Sequence, residues 1–240
     1  MRPFLAQARA EVLLTLSQGE NLLVSLGLPL ILLVAFTLAP ITPVGDIRRI
    51  QFVAPGILAL AVMSTGMVAL SIATGFERSY GVLKRLGSTP LGRPALVAAK
   101  TCSVLAVEVV QVLVICGVAL ALGWHPRGDP AAAAGAFLLG TVAFTGLGLL
   151  MAGTLRAELI LGLANGLYVI LLLLGGMVFS LSVLPGGLRA VADALPAAAL
   201  AGALLHSLGT GGGIPAESWI VLGGWALAAP VAASLTFRWE

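Results

Sequence analysis

The sequence predicts an all-α polytopic membrane protein with six transmembrane helices, an amphipathic helix ahead of the first, and a re-entrant helical pair before the last. Three observations lead there. Of 240 residues, 59% are hydrophobic and 10% charged, with a mean hydropathy of +1.08, whereas a soluble domain carries about 25% charge. The charges are also segregated: of 13 Lys and Arg and 10 Asp and Glu, only Glu108 falls inside an apolar run. Finally, the runs are long enough, since about 20 helical residues cross a hydrocarbon core of roughly 30 Å. Such a composition cannot build a water-facing surface, and it excludes a disordered chain, a basic nucleic-acid binder and a disulfide scaffold.

Taken in order, residues 1–21 hold Arg2, Arg9, Glu11 and Glu20, too many charges for a secretory leader. Phe4, Leu5, Ala8, Val12 and Leu16 recur at helical spacing, with Gln7, Glu11, Thr15 and Gln18 on other faces. That pattern points to an interfacial helix rather than a bare overhang. Spans follow at about 22–40, 54–75, 101–122, 133–154, 159–182 and 218–237, so that 1–240 reads as one transmembrane domain. Alternate connections collect Arg2, Arg9, Arg78, Lys84, Arg85, Arg93, Lys100, Arg156 and Arg238 on one side. Arg48, Arg49, Arg127 and Arg189 lie on the other, with Asp46 weakening the field of the Arg48-Arg49 pair. The positive-inside bias makes the first side cytoplasmic, with both termini on it.

Local chemistry adds detail. Pro29 lies inside the first span, where a kink is expected, and Pro55 is expected to open the second, where its missing N–H costs nothing. Gly140, Gly146, Gly148 and Gly153 lighten the fourth span, and Gly162 and Gly166 stand four apart on the fifth. Small residues let helices approach closely in lipid, either within one subunit or across a dimer seam. Residues 183–217 are apolar yet broken by Pro185, Gly186, Gly187, Pro196 and Gly211 to Gly213. Two helices near 187–194 and 196–208, each too short to cross, fit a pair dipping into the outer leaflet or lying flat on it. Arg189, Asp193 and His206 then face water. Glu108, beside Gln111, must face protein or water. It reads equally as a polar point on a translocation path and as a hydrogen-bonded packing residue.

Several chemistries are missing. There is no GxxxxGK[ST] phosphate loop, so no nucleotide site is expected in this chain. No HExxH occurs, and His125 and His206 stand in loops, too few for a zinc or serine-hydrolase centre. Cys102 and Cys116 share one span about 21 Å apart along a helix and cannot bridge. A non-catalytic chain is expected, with no metal or cofactor of its own and no nucleic-acid partner.

The informative loop is GFERSYGVLKRLGSTPLGRPALVAAKT, between the second and third spans. Glu77, Arg78, Lys84 and Arg85 read as a solvated face, Val82, Leu83 and Leu86 as a contact stripe, and Gly87 to Pro90 as a stop. Here the chain resembles the membrane subunits of ABC-2 type exporters, whose first cytoplasmic loop opens on an E-R-x-x-G-x-L-[KR]-[RK]-L-[RG]-x-[ST]-P run. The late segment GGMVFSLSVLPGGLRAVADALPAAALAGALLHSL is similar to that family's fifth span, outer Leu-Pro turn and following helix.

The resemblance implies the ABC-2 (type V) exporter fold in a bacterial cytoplasmic (inner) membrane. It implies a separate ABC ATPase subunit, in two copies, that binds ATP and Mg and packs against Glu77, Arg78, Gly81, Lys84, Arg85 and Leu86, with the N-terminal helix alongside. It further implies a homodimer, or a heterodimer with a related permease, around a path lined by the first, second and fifth spans and embedded in membrane lipids. The outer re-entrant segment, with Pro185, Arg189 and Pro196, closes the outer end of that path. Gly87 and Leu204-Leu205-His206 depart from basic residues common in relatives. Trp219, Trp225 and Trp239 read as membrane-belt residues rather than a sugar-binding row. The substrate expected is therefore a small amphiphile, drug or lipid-like compound. The rival reading is a secondary transporter or channel working without an ATPase; an internal inverted repeat would favour it, and none is evident.

Overall fold

The computed structural model describes residues 2–17, 19–39, 48–88 and 92–239. Expectations placed on Gln18, Asp46, Thr89, Pro90 and the side chains of Arg2, Phe4, Leu16 and Glu20 lie outside the described residues. The described chain is mainly helical, with no strand among the described residues. The helices are α1 (Arg2–Ser17), α2 (Gly19–Leu38), α3 (Arg49–Met63), α4 (Leu70–Ser79), α5 (Val82–Gly87), α6 (Arg93–Ala121) and α7 (Pro130–Thr154). They are followed by α8 (Ala157–Leu174), α9 (Gly186–Asp193), α10 (Pro196–Leu204) and α11 (Ala216–Thr236). A π-helical turn, Ser64–Ala69, joins α3 to α4, so that Arg49–Ser79 forms one 31-residue rod.

By length and composition five elements can cross a membrane: the α3–α4 rod, α6, α7, α8 and α11. The expected first span falls on α2, whose apolar stretch Ser25–Leu38 is shorter than the others. The rod is the hub, with 72% of its apolar window buried against 33% in α6 and 22% in both α8 and α11. Every residue from Ile50 to Met63 is buried. A helix apolar on all sides can be surrounded by protein, and the others keep exposed leucines and valines.

Pro55 corrects one expectation. The helix starts at Arg49, so Pro55 is interior rather than in the first turn, and the carbonyl of Gln51 loses its helical donor. The backbone of Gly209 closes on that carbonyl, where a Cβ would lie 2.4 Å away.

The most extensive seam joins α7 to α11. A Cβ on Gly146 would lie 2.5 Å from the nitrogen of Pro230, and one on Gly148 2.5 Å from the carbonyl of Gly66 in the π turn. Gly140 and Gly153 face Leu200 and Phe237. The fourth-span glycines thus serve packing within the chain.

The pair before the last span is present. α9 and Pro196–Thr210, the second ending in a π turn, meet at 82°. Its limbs differ, because α9 is exposed except at Ala192 whereas α10 is almost wholly buried against α3, α7 and α11. One limb therefore lies on the surface and the other enters the bundle. Pro185 precedes α9 and Pro196 opens α10, where a missing N–H breaks no helical bond. Arg189 and Asp193 are exposed. His206 is half-buried instead, its Nδ1 2.7 Å from the carbonyl of Gly202.

Candidate functional site

The loop expected between the second and third spans is built as a hinge between two helices. α4 ends at Ser79 with Tyr80 as its cap, and Gly81 takes φ 73°, a left-handed conformation that glycine adopts without strain. This turn separates α4 from α5. The buried Leu83 then packs with Leu96 of α6 and Phe237, with Leu86 and Trp239 around them. The Trp239 ring lies over Gly87, where a Cβ would be 3.1 Å away, and meets Phe237 edge-on at 5.7 Å. The short helix is therefore clamped between the start of α6 and the chain after α11.

Of the six loop residues singled out from the sequence, the structure separates two groups. Lys84 and Arg85 are exposed, as are Tyr80, 76% open, and Val82. The expected contact stripe narrows to Leu83 and Leu86, with Val82 on the outer face. Glu77 and Arg78, expected to be solvated, turn inward instead. Arg78 Nη2 donates to the carbonyl of Leu155 in the short link between α7 and α8. Glu77 accepts from Lys100 Nζ at 2.8 and 2.7 Å.

Lys100 is the residue that loop reading alone missed. It lies in the third turn of α6, its side chain is 2% exposed, and it also pairs with Glu11 of α1 at 2.9 Å. Gln7, one turn earlier, donates to the other oxygen of Glu11 at 2.8 Å. A buried ammonium is costly unless opposed, and here two carboxylates from two helices oppose it. The signal lay in the sequence: a lysine seven residues into an apolar helix requires an anion, and α1 carries a carboxylate amid leucines.

That pairing sets Glu11, expected on a face other than the apolar stripe, against a neighbouring helix. Glu11 is buried toward α6, while Leu5, Leu13 and Leu14 are exposed. In an apolar solvent, buried charge with outward leucine is the favourable order.

Deeper in α6, Glu108 is 1% exposed and its Oε2 accepts from Thr141 of α7 at 2.5 Å. Gln111 accepts from Thr65, in the π turn, at 3.0 Å and donates to the carbonyl of Ser25 at 3.4 Å. The polar atoms of α6 thus tie α2, the π turn and α7 together. Among the described residues no group of three His, Cys, Asp or Glu could hold a metal ion.

No curated protein matches the chain. The sequence pattern of the ABC-2 type transporter family matches residues 3–208, from α1 to the π turn after α10. With most of its length matched, including the clamped loop helix and the bent pair, the chain belongs to the ABC-2 type membrane transporter family.

Proposed function

We propose that this chain is the membrane-spanning permease subunit of an ATP-driven exporter for a small amphiphilic, drug-like or lipid-like compound in a bacterial cytoplasmic membrane. Both termini face the cytoplasm. ATP and Mg are bound by a separate ATPase, docked in two copies below a pair of permeases. The observation that carries the reading is the exposed surface of Val82, Lys84 and Arg85 on a helix held at its back, with Tyr80 exposed beside it at the end of α4.

A docked ATPase that moves α5 also moves what α5 is fastened to. Leu83 carries the motion to α6 and to the chain after α11, and Gly81 lets α5 turn against α4. The Glu77–Lys100–Glu11 node keeps α4, α6 and α1 together as one body. Loop displacement then becomes helix displacement, with no covalent step in this chain. Because α3 is enclosed by its own chain, we place the path wall on α2 and on the open face of α8, where no described residue stands within 4 Å of Gly162 or Gly166. The same open face supports pairing with a second permease. Glu108, held by Thr141, is assigned to packing between spans.

Two measurements test the reading. Detergent extraction of the tagged chain should bring down an ATPase, whose hydrolysis rises with an amphiphilic substrate. Arg85→Glu should leave insertion intact while export and stimulated hydrolysis fall at least tenfold; unchanged export in that variant would overturn the assignment.

A further inference from the structure

A furrow of about 470 Å³ runs between the start of α6 and the end of α11. Pro94, Ala98 and Cys102, spaced four apart, form one wall; Pro230 and Ser234 form the other, and Val142 of α7 closes the inner end. From Pro94 to Cys102 the helix rises about 12 Å, close to the roughly 15 Å that is half the hydrocarbon core. The furrow therefore has the depth of one leaflet.

Its chemistry is that of hydrocarbon. The two hydroxyls on its walls are turned back into their own helices: Thr101 donates to Val97 and Ser234 to Val231, each at 2.9 Å. Among the described lining side chains, the Cys102 thiol is the one polar group left to an occupant. At the mouth the character changes. Arg93, the first residue of α6, is exposed and reaches across the furrow, its Nη1 3.4 Å from the carbonyl of Leu235 on α11. Arg238 is exposed just past the end of α11. The first turn of α6 carries no acid, so its dipole adds to the positive field at that level.

We propose that this furrow binds an anionic phospholipid, with one acyl chain lying between α6 and α11 and the phosphate held at Arg93. Apolar walls one leaflet deep with a guanidinium at the rim complement a lipid with a negative headgroup.

The test uses the full chain in nanodiscs with phosphatidylglycerol carrying a diazirine midway along one acyl chain, and phosphatidylcholine with the same chain as control. Phosphatidylglycerol should label peptides containing Ala98, Cys102 or Val231, and unlabelled phosphatidylglycerol should compete. Arg93→Gln should lower that labelling about fivefold, the effect of removing one basic contact at an anionic surface. Ala98→Trp should abolish labelling in the furrow without changing thermal stability, and Val231→Trp does the same from the opposite wall if the first variant fails to insert. Equal labelling by phosphatidylcholine, labelling elsewhere only, or full labelling of Arg93→Gln would each overturn the proposal.

Discussion

Lys100 holds both carboxylate oxygens of Glu77, at 2.8 and 2.7 Å, from a side chain only 2% exposed. The last turn of the rod is thereby fixed to the third turn of α6, and Glu11 adds α1 to the same point. Removing the lysine leaves two carboxylates facing each other without a cation. Lys100→Met should therefore cost about 3 kcal/mol, read as a fall in the thermal midpoint of the detergent-solubilised protein. Glu77→Gln, which keeps a polar partner at a half-buried position, should cost less. Equal midpoints for Lys100→Met and the parent would show that the node carries no stability.

Gly81 at φ 73° gives a second prediction. Alanine has room there among the described residues, none of which lies within 4 Å, so the loss comes from backbone conformation. Gly81→Ala should cost about 1 kcal/mol and Gly81→Val more. Circular dichroism melts of the two variants provide the measurement.

The glycines of α7 and α8 should behave oppositely. Gly146→Leu drives a side chain into the backbone of Ala229 and Pro230 and should prevent a stable, folded chain from accumulating. Gly162→Leu meets open space and should leave the fold intact. On the proposed pairing it weakens association with a second permease, visible as loss of the dimer band in native electrophoresis.

Thr141 gives Glu108 its hydrogen bond at 2.5 Å, and Oε1 has no partner among the described residues. Thr141→Val should cost about 1 to 3 kcal/mol with Glu108 present, and markedly less in a Glu108→Leu background. The double-mutant cycle measures that coupling, and additive losses would mean that the two residues act separately.

Local pattern made much of this fold legible. Apolar runs mark helices because lipid solvation acts on each residue alone, and Pro185, Gly186 and Pro196 mark the limbs of the bent pair because turn chemistry is local. The expected limbs near 187–194 and 196–208 fall on Gly186–Asp193 and Pro196–Thr210. What could not be read one residue at a time was partnership. Glu77 resembles any charge at a helix end until Lys100, 23 residues later, is brought beside it. Pro55 was misplaced for a related reason: α3 begins earlier than its apolar run, since Arg49 and Gln51 are carried into the helix. For α1, amphipathicity shows that a helix has two faces, and only packing against α6 decides that Glu11 turns inward.

The burial of Glu11 against α6 also orders events in time. Glu11 leaves the ribosome long before Lys100 exists, so α1 cannot reach its final seat while only the first spans have been made. Docking of α1 against α6 is therefore a late step that reports on the arrival of α6. Defects in α6 should therefore leave the N-terminus loose and open to proteolysis, even though the two segments are far apart in sequence.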